Sequence, residues 1–330
     1  MSEQVIGVDI GGTKIATGLV NAQGQVVSSV TLPTKVEEGK DAVTAQIFSS
    51  IQQLDVDMST VKGIGIGAPG PLKDGVLINP PNIPCCYNYP ISKLVTEKYN
   101  IPTITENDAN AAGYAEMVFG SAKGYKNFVY VTVSTGIGTG IIIDGEIYRG
   151  KNSLAGEGGH VTIDYKLAST HAHMGDAGVP GSIESLASGT AIACRVQKKM
   201  RENPDLKTKL WDYVAEKSGS KEEKLSKIST YDIAQAIQDG DAYAINVIQD
   251  AGTKIGVWLG GIISLLDPEI IVIGGGVTEL GEILFDKIKE TAPKYTINQF
   301  AVNTPIVPAS LKENVGIYGA ASLVIKHLAK

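Results

Sequence analysis

Asp9 is a charged residue inside a segment that otherwise predicts a buried strand. It lies in GVDIGGTKIATGLV (residues 7–20), where two β-rich stretches flank a Gly-Gly turn. Glycine removes the Cβ that would keep a ligand away, so backbone N–H groups of such a turn can face a phosphate. A carboxylate beside phosphates would repel them unless a divalent cation lay between. Asp9 is therefore predicted to bind Mg²⁺ through water, the alternative being that it only caps the turn.

A second glycine turn follows the same plan. Residues 128–149 read FVYVTVSTGIGTGIIIDGEIYR, again strand, glycine turn, strand, turn and strand. The chain has no GxxxxGK[ST] loop, and GIGTG at 136–140 is followed by β-branched residues, so it opens a strand and not a dinucleotide-binding helix. The repeat of the opening pattern indicates two similar α/β domains with a ligand between them.

Alternating strand-like and helical segments position these turns and predict an α/β protein. A Pro- and Asn-rich loop at 78–90 and a polar, charged stretch at 201–230 interrupt the pattern, and the latter is expected to be a solvated helical face. The predicted strands are 5–10, 14–20, 25–32, 63–69, 101–105 and 266–277. The predicted helices are 40–53, one whose first part is 108–117, and a last one at 316–328.

Composition excludes several classes of function. The 330 residues are 43% hydrophobic and 19% charged with a net charge of −6, which suits a globular protein of about two domains and disfavours binding to nucleic acid. The longest apolar stretch, at 257–266, is far shorter than the roughly 20 residues of a membrane span. The N-terminal residues enter a strand at once, so no secretory leader is expected. Cys85, Cys86 and Cys194 form no disulfide framework and favour a reducing cytoplasm.

The ordered set of motifs resembles the ROK family, a sugar-kinase branch of the actin-like ATPases. DIGGTK at 9–14 resembles its first phosphate motif, STGIGTG at 134–140 its second, and IIVIGGG at 270–276 its adenosine motif. ENDANAA at 106–112 resembles the catalytic segment, and GEGGH at 156–160 fits the family signature. Each motif alone is weak, whereas the ordered set spans nearly the whole chain.

The resemblance implies a fold, a reaction and a partner. The expected fold is the actin-like ATPase (ribonuclease H-like) fold, with two α/β domains and an interdomain cleft. The predicted boundaries assign 1–118 plus 316–330 to a smaller domain and 119–315 to a larger one. ATP with Mg²⁺ is the expected cofactor pair, a sugar is the expected substrate, and a homodimer is expected by resemblance.

Asp108 is the candidate base that accepts the proton of the sugar hydroxyl. It starts the helix after the predicted strand 101–105, where the helix dipole keeps a carboxylate ionised, and the alternative is that it only caps that helix. The residues that the resemblance assigns to the nucleotide are Asp9, Gly11, Gly12, Thr13, Lys14, Thr135, Gly136, Gly138, Gly274, Gly275 and Gly276. Those assigned to the sugar are Gly67, Asn82, Asn107, Asp108, Glu157, His160 and Glu184.

The chain departs from the family at the zinc site that many members carry. The three cysteines of that site fall here on Gly175, Ala177 and Ser182, so no structural zinc is expected. His171 and His173 could in principle hold a metal, but two histidines at this spacing are a weak signal. The loss of the thiolates also prevents any transfer of substrate preference from zinc-bearing relatives.

Phosphorylation of glucose to glucose 6-phosphate is the leading functional prediction. SGTAIA at 188–193 and LLDPEIIVIGGGV at 265–277 are similar to the glucokinase members. The alternatives are an N-acetylmannosamine or N-acetylglucosamine kinase, which shares the same polar set, and a non-catalytic ROK sugar sensor. A ROK repressor is not expected, because DIGGTK begins at residue 9 and leaves no room for a DNA-binding domain. An actin-like structural ATPase would leave the polar sugar set unexplained.

Overall fold

The computed structural model describes residues 4–169, 179–297 and 300–328. His171, His173, Gly175 and Ala177 lie outside this range. The elements up to the second glycine turn are β1 (Gln4–Ile10), β2 (Lys14–Val20), β3 (Val26–Pro33), α1 (Lys40–Gln52), β4 (Val61–Ala68), β5 (Leu72–Lys73), β6 (Val76–Leu77), α2 (Ile91–Tyr99), β7 (Thr103–Asn107), α3 (Asp108–Phe119) and β8 (Phe128–Val133).

Helices dominate the later part of the chain. The elements are β9 (Ile137–Ile143), β10 (Glu146–Ile147), α4 (Tyr165–Ser169), α5 (Ile183–Ala187), α6 (Gly189–Glu202), α7 (Leu210–Glu216), α8 (Lys221–Ser226), α9 (Thr230–Gln238), α10 (Ala242–Leu266), β11 (Ile270–Gly274), α11 (Glu282–Thr291), β12 (Ile306–Pro308) and α12 (Val315–Leu328). Short 3₁₀ helices include Gly158–His160 and Gly276–Leu280.

The first five-stranded sheet carries the first glycine turn. Its order is β3-β2-β1-β4-β7. The strands β1, β2 and β3 pair antiparallel, whereas β4 and β7 run parallel to β1. In this register Asp9 pairs with Gly67, and Gly67 pairs with Glu106. The carboxyl ends of the three parallel strands therefore meet at one edge of the sheet.

A second five-stranded sheet among the described residues repeats the plan. Its order is β10-β9-β8-β11-β12, so consecutive hairpin strands are again followed by strands that come later in the chain. The strand β10 pairs antiparallel with β9, and β11 pairs parallel with β12. The repeat of strand, glycine turn and strand seen in the sequence is therefore a repeat of sheet order.

Both faces of the first sheet are covered. Alternate residues of β1 such as Ile6 and Val8 pack in a large apolar cluster with α1 and α2. The helix α12 covers the opposite face, and it comes close because glycines face it. A Cβ on Gly7 would lie 2.2 Å from the carbonyl oxygen of Ile317, and one on Gly65 would lie 1.7 Å from that of Ala320. These glycines are therefore required for packing and not for ligand binding.

The chain divides into two compact units. The first comprises Met1–Tyr130, Gly140–Gly156 and Ala309–Lys330, and the second comprises Val131–Thr139 and Glu157–Pro308. The mixed α/β architecture agrees with the expected actin-like ATPase fold. The domain boundaries predicted from the sequence stay a prediction. Within the described residues, no helix has the length and apolar character needed to cross a membrane.

Candidate active site

Asp9 and Asp108 lie on either side of Gly67 at the carboxyl edge of the first sheet. A Cβ placed on Gly67 would lie 3.8 Å from Oδ1 of Asp9 and 4.0 Å from Cα of Asp108. The parallel register of β1, β4 and β7 causes this proximity, because it aligns the ends of strands that are distant in sequence. The structure thus brings together the predicted metal ligand, the predicted base and one predicted sugar-binding glycine.

The carboxylate of Asp9 is partly enclosed by the start of α12. A Cβ on Gly316 would lie 2.2 Å from Oδ2 of Asp9, so only glycine fits there. Burial raises the pKa of Asp9 from 3.8 to about 6, and the nearby positive charge of Lys14 opposes this rise. An ionised carboxylate with so little water around it is stabilised by a cation, which fits the predicted Mg²⁺ role.

The first glycine hairpin, residues 11–14, presents backbone donors outward. The N–H of Gly11 donates to the carbonyl oxygen of Lys14 over 2.9 Å. Thr34, at the end of the hairpin's neighbouring strand, donates from Oγ1 to the carbonyl oxygen of Gly11 over 2.6 Å. Its own N–H donates to the carbonyl oxygen of Thr13 over 3.0 Å. In the part of the chain that the structure describes, the N–H groups of Gly12 and Thr13 have no protein acceptor.

Asn82, a predicted sugar ligand, lies against this first hairpin. A Cβ on Gly12 would lie 2.8 Å from the backbone oxygen of Asn82 and 3.2 Å from its Cβ. The Asn82 residue is exposed, and the Pro- and Asn-rich loop that carries it was identified from sequence only as a loop. The spacing of the residues gave no signal for this contact, because 70 positions of chain separate the partners.

The helix α3 begins at Asp108, as predicted. Its capping residue is Asn107, whose Oδ1 accepts hydrogen bonds from the N–H groups of Ala109 and Asn110 over 3.0 and 3.2 Å. Asp108 is exposed in the first turn, and its Oδ1 accepts from the N–H of Ala109 over 2.8 Å. The alternative that Asp108 is the cap is wrong, because Asn107 performs that function. The N-terminal end of the helix dipole favours an ionised carboxylate at this position.

Sequence reasoning missed two residues beside the predicted base. Glu106 is buried, and its carboxylate accepts a hydrogen bond from Arg149 Nε over 2.7 Å and forms an ion pair with Nη2 over 2.6 Å. The ENDANAA motif indicates the catalytic segment, but it assigns no role to Glu106 and does not point to Arg149. A buried carboxylate needs a partner of opposite charge. Glu106 is therefore itself the signal in the sequence that such a partner lies nearby.

In the second unit, the hairpin at 134–137 has the same backbone design as the first. The N–H of Ser134 donates to the carbonyl oxygen of Gly136 over 2.8 Å. The N–H of Gly189, at the start of α6, donates to the carbonyl oxygen of Ser134 over 2.7 Å. Over the described ranges, the N–H groups of Thr135 and Gly136 have no protein acceptor. Gly138 is partly buried in β9, one residue beyond the hairpin.

Glu184, a predicted sugar ligand, is directed at this second hairpin. Its Oε2 accepts a hydrogen bond from the N–H of Ile137 over 2.8 Å. A Cβ on Gly136 would lie 2.5 Å from the same oxygen. Ser182 caps the short helix α5, and its Oγ accepts from the N–H of Ser185. The cap fixes the direction from which Glu184 approaches the turn.

The GEGGH segment packs tightly on β9 and leaves its two polar side chains half-exposed. A Cβ on Gly159 would lie 2.0 Å from the carbonyl oxygen of Ile137, and one on Gly158 would lie 2.9 Å from Oγ1 of Thr139. Glu157 and His160 lie on the 3₁₀ turn so fixed, with 3.7 Å between Oε2 and Nε2. The two predicted sugar ligands are thus neighbours.

The three glycines after β11 differ in their surroundings. Gly274 ends the buried strand. Gly275 has a φ of 92°, and a Cβ there would lie 2.4 Å from the carbonyl oxygen of Val133, so both conformation and space require glycine. At Gly276 a Cβ would meet nothing within 4 Å, so this position is open to a ligand.

Comparison with known proteins gives consistent matches over the whole chain. The model of the ROK family matches residues 5–327. A glucokinase of Thermotoga maritima is 32% identical, with 97% of each chain aligned. A crystal structure of a ROK family glucokinase from Streptomyces griseus, in complex with glucose and AMPPNP, is 28% identical with a TM-score of 0.81, covering 98% of this chain and 99% of that one. A xylose repressor of Caldicellulosiruptor bescii is 27% identical over 98% of this chain and 78% of its own length.

Proposed function

Because the chain belongs to the ROK family, we propose that it is an ATP-dependent glucokinase that converts glucose to glucose 6-phosphate. The likeness to the Thermotoga maritima glucokinase supports this over nearly the full length of both chains. The observation that carries the proposal is the position of Asp108, in the first turn of α3, next to Gly67 and Asp9 at one sheet edge. A base and a cation ligand so placed are what phosphoryl transfer requires.

Asp108 accepts the proton of the attacking sugar hydroxyl in this proposal. Its carboxylate is exposed at the start of α3 and is held ionised by the helix dipole, so it is a weak base. A weak base suffices when transfer of the phosphoryl group is loose and the proton leaves late. The cap formed by Asn107 fixes the backbone from which Asp108 projects.

The hairpin donors bind the phosphates of ATP. The N–H groups of Gly12 and Thr13 in one hairpin, and of Thr135 and Gly136 in the other, are oriented outward by internal hydrogen bonds of the turns. Lys14 adds positive charge to the first hairpin. We assign the adenosine end of the nucleotide to Gly274, Gly275 and Gly276, where the last glycine is open.

Asp9 is the residue proposed to hold Mg²⁺. Its partly buried carboxylate and raised pKa fit a cation ligand, and among the described residues no group of three or more His, Cys, Asp or Glu side chains surrounds a metal position. A single carboxylate acting through metal-bound water agrees with that geometry. When bound, Mg²⁺ neutralises charge on the phosphates.

The sugar hydroxyls are assigned to a set of polar residues and one glycine. Each hydroxyl donates and accepts, so carboxylates, amides and imidazoles suit it. Glu157, His160 and Glu184 are the proposed ligands of the second unit. Those of the first unit are Gly67, Asn82, Asn107 and Asp108.

We propose that the chain holds no structural zinc. Ser182 stands at one of the three cysteine positions, and its hydroxyl caps α5. Serine and the glycine and alanine at the other two positions supply no thiolate. Elemental analysis of the purified protein tests this, and stoichiometric zinc would refute it.

Two alternatives share the same residues. An N-acetylmannosamine or N-acetylglucosamine kinase would use the same polar set with a different sugar. A non-catalytic sugar sensor is suggested by the match to the xylose repressor of Caldicellulosiruptor bescii. The presence of both Asp108 and two hairpins with outward-facing N–H groups favours catalysis over sensing, since sensing needs no proton acceptor.

We also propose a cytoplasmic homodimer. Free thiols at Cys85, Cys86 and Cys194 agree with a reducing compartment, where ATP is available. Leu265 at the end of α10 and Ile297 are 81% and 95% exposed, and the neighbouring Ser264 and Thr296 are hydrogen-bonded, so the two apolar side chains lie in one region. Replacement of both by Glu tests whether a second copy covers them, with mass measured by light scattering.

An ADP-release assay across a panel of sugars tests the proposed function. Purified protein with MgATP is given glucose, mannose, N-acetylglucosamine, N-acetylmannosamine and xylose in turn. The proposal predicts the highest kcat/KM with glucose. Preference for an N-acetylhexosamine selects the first alternative. Tight sugar binding in calorimetry without ADP release from any sugar selects the sensor.

A further inference from the structure

Glu106 is a buried carboxylate two positions before the proposed base. Its exposed fraction is 6%, and it lies near the end of β7. A carboxylate so far out of water must have donors for both oxygens, or its burial destabilises the fold. The structure supplies those donors from two separate parts of the first unit, and each oxygen serves one of them.

The first oxygen of Glu106 is directed at the catalytic segment. Oε1 accepts from the N–H of Asn107 over 3.0 Å and from Nδ2 of Asn110 over 3.1 Å. Asn107 is the cap of α3, and Asn110 is in its first turn. This oxygen therefore holds the cap and first turn from both ends, and Asp108 lies between the two anchored residues.

The second oxygen of Glu106 is held by Arg149. Oε2 accepts a hydrogen bond from Nε over 2.7 Å, and Nη2 lies 2.6 Å from the same oxygen as an ion pair. Arg149 is carried there by the β9–β10 hairpin, whose turn residues Asp144 and Gly145 have φ values of 53° and 73°, as expected for a tight two-residue turn. The charge-assisted hydrogen bond and the ion pair to one oxygen together restrain that end of the carboxylate.

We propose that Glu106 and Arg149 are positioning residues for Asp108, an inference that rests on the proposed kinase function. Arg149 fixes the orientation of the Glu106 carboxylate, and the carboxylate fixes the backbone of Asn107 and the side chain of Asn110. Neither residue is assigned to substrate. Loss of the pair lets the first turn of α3 shift, which displaces Asp108 and its neighbour Asn107 and changes the geometry of the chemical step more than the binding of nucleotide.

A matched control lies in the same hairpin. Glu146 in β10 forms an ion pair with Lys326 of α12 over 3.0 Å. Glu146 precedes Arg149 by only three positions in the sequence. Glu146→Gln removes this ion pair and leaves the pair between Arg149 and Glu106 intact. An effect that arises merely from loosening the hairpin would therefore appear equally in Glu146→Gln and Arg149→Met.

Steady-state kinetics and melting temperatures of Arg149→Met, Arg149→Lys and Glu146→Gln test the proposal. We expect Arg149→Met to lower kcat by about 10- to 100-fold with KM for ATP within about threefold of the wild type, since small misplacement of a reacting group has effects of this size. Arg149→Lys recovers part of kcat, because an ammonium keeps the charge but not the fork of donors. Glu146→Gln keeps the wild-type kcat.

The double variant Glu106→Gln with Arg149→Met separates positioning from stability. It contains no buried unpaired charge, so its melting temperature returns toward that of the wild type even if Arg149→Met alone folds poorly. The proposal predicts that its kcat stays low, because the amide side chain that replaces the carboxylate has no guanidinium to anchor it.

Three results would overturn the inference while leaving the kinase proposal intact. They are a wild-type kcat in Arg149→Met, an equal loss of kcat in Glu146→Gln, and recovery of kcat together with stability in the double variant. Failure of the proposed function is recognised separately, because the wild-type protein itself would then release no ADP with any sugar. The inference would fall with it.

Discussion

The two glycine hairpins share a backbone design and differ in what braces them. In the first, a hydroxyl of Thr34 donates to the carbonyl oxygen of Gly11 over 2.6 Å. In the second, the carboxylate of Glu184 accepts from the N–H of Ile137 over 2.8 Å. A neutral brace adds no charge beside a bound phosphate, whereas a carboxylate adds a negative one.

The comparison extends to the charges near each turn. The first hairpin contains Lys14, and Asp9 lies just before it. Burial raises the pKa of Asp9 to about 6. The second hairpin has no charged residue of its own, and its neighbouring charge comes from Glu184 of α5. The same proposed phosphate-binding turn thus has different neighbours: a cation ligand and a lysine at the first, and a carboxylate suited to sugar hydroxyls at the second.

The largest expected effect is on kcat, and it compares a carboxylate of the first unit, Asp108, with one of the second unit, Glu184. Asp108→Asn removes the proposed base and lowers kcat by about 1,000-fold, in the range typical of general base catalysis. Glu184→Gln removes a proposed hydrogen-bond partner of the sugar and acts mainly on KM for glucose, by about tenfold. Steady-state kinetics of both variants measure the contrast. Equal losses of kcat would mean that the base is not confined to α3.

An intermediate effect compares the glycines of the two turns. A Cβ at Gly12 would meet the backbone oxygen of Asn82 at 2.8 Å, whereas one at Gly136 would meet the end of the Glu184 side chain at 2.5 Å. Backbone cannot give way as a flexible side chain can. We expect kcat/KM for ATP to fall by about 100-fold in Gly12→Ala and about tenfold in Gly136→Ala, where each factor of ten is about 1.4 kcal/mol.

A larger loss of kcat/KM for ATP in Gly136→Ala than in Gly12→Ala would contradict the rigid contact between Gly12 and Asn82. Gly124→Ala is not a suitable control, because Gly124 has a φ of 94°. Gly261→Ala is suitable, because a Cβ there would meet nothing within 4 Å and the residue is in the helix α10. It should leave kcat/KM unchanged.

The last expected effect concerns stability in the absence of nucleotide. The folded state holds the proton on Asp9 more tightly than the unfolded chain, so the carboxylate lowers the free energy of unfolding as pH rises from 3.8 to about 6. Asp9→Asn removes this penalty and is expected to raise the free energy of unfolding by at most about 3 kcal/mol at neutral pH. Urea denaturation at pH 7.5 and pH 5 measures it.

The gain in Asp9→Asn should be larger at pH 7.5 than at pH 5, and it should come with weaker binding of MgATP. A gain that does not change with pH would show that burial of the charge is not its cause.

Local patterns predicted much of the fold. The strands on both sides of the first glycine turn, the start of α3 at Asp108 and the last helix all lie within about two residues of their predicted positions. The strand expected at 101–105 is Thr103–Asn107, because its pairing with β4 begins at Thr103. Register with a partner strand is a tertiary property that a single segment does not encode.

Contacts between distant parts of the chain could not be predicted. Arg149 meets Glu106 because the tight turn at Asp144 and Gly145 returns the chain toward the first sheet. The brace that Thr34 provides, and the contact of Gly12 with Asn82, likewise depend on how strands and loops are assembled. Glycine clusters indicated where a ligand approaches, but they did not indicate which side chains surround it.

Transfer of label from ATP radiolabelled on its γ-phosphate to glucose tests the central claim most directly. The account predicts that the wild-type protein moves label into glucose 6-phosphate in equal amount to the ADP formed, and that Asp108→Asn binds glucose but transfers almost none. Label released only as inorganic phosphate, or transfer at the wild-type rate in Asp108→Asn, would contradict it.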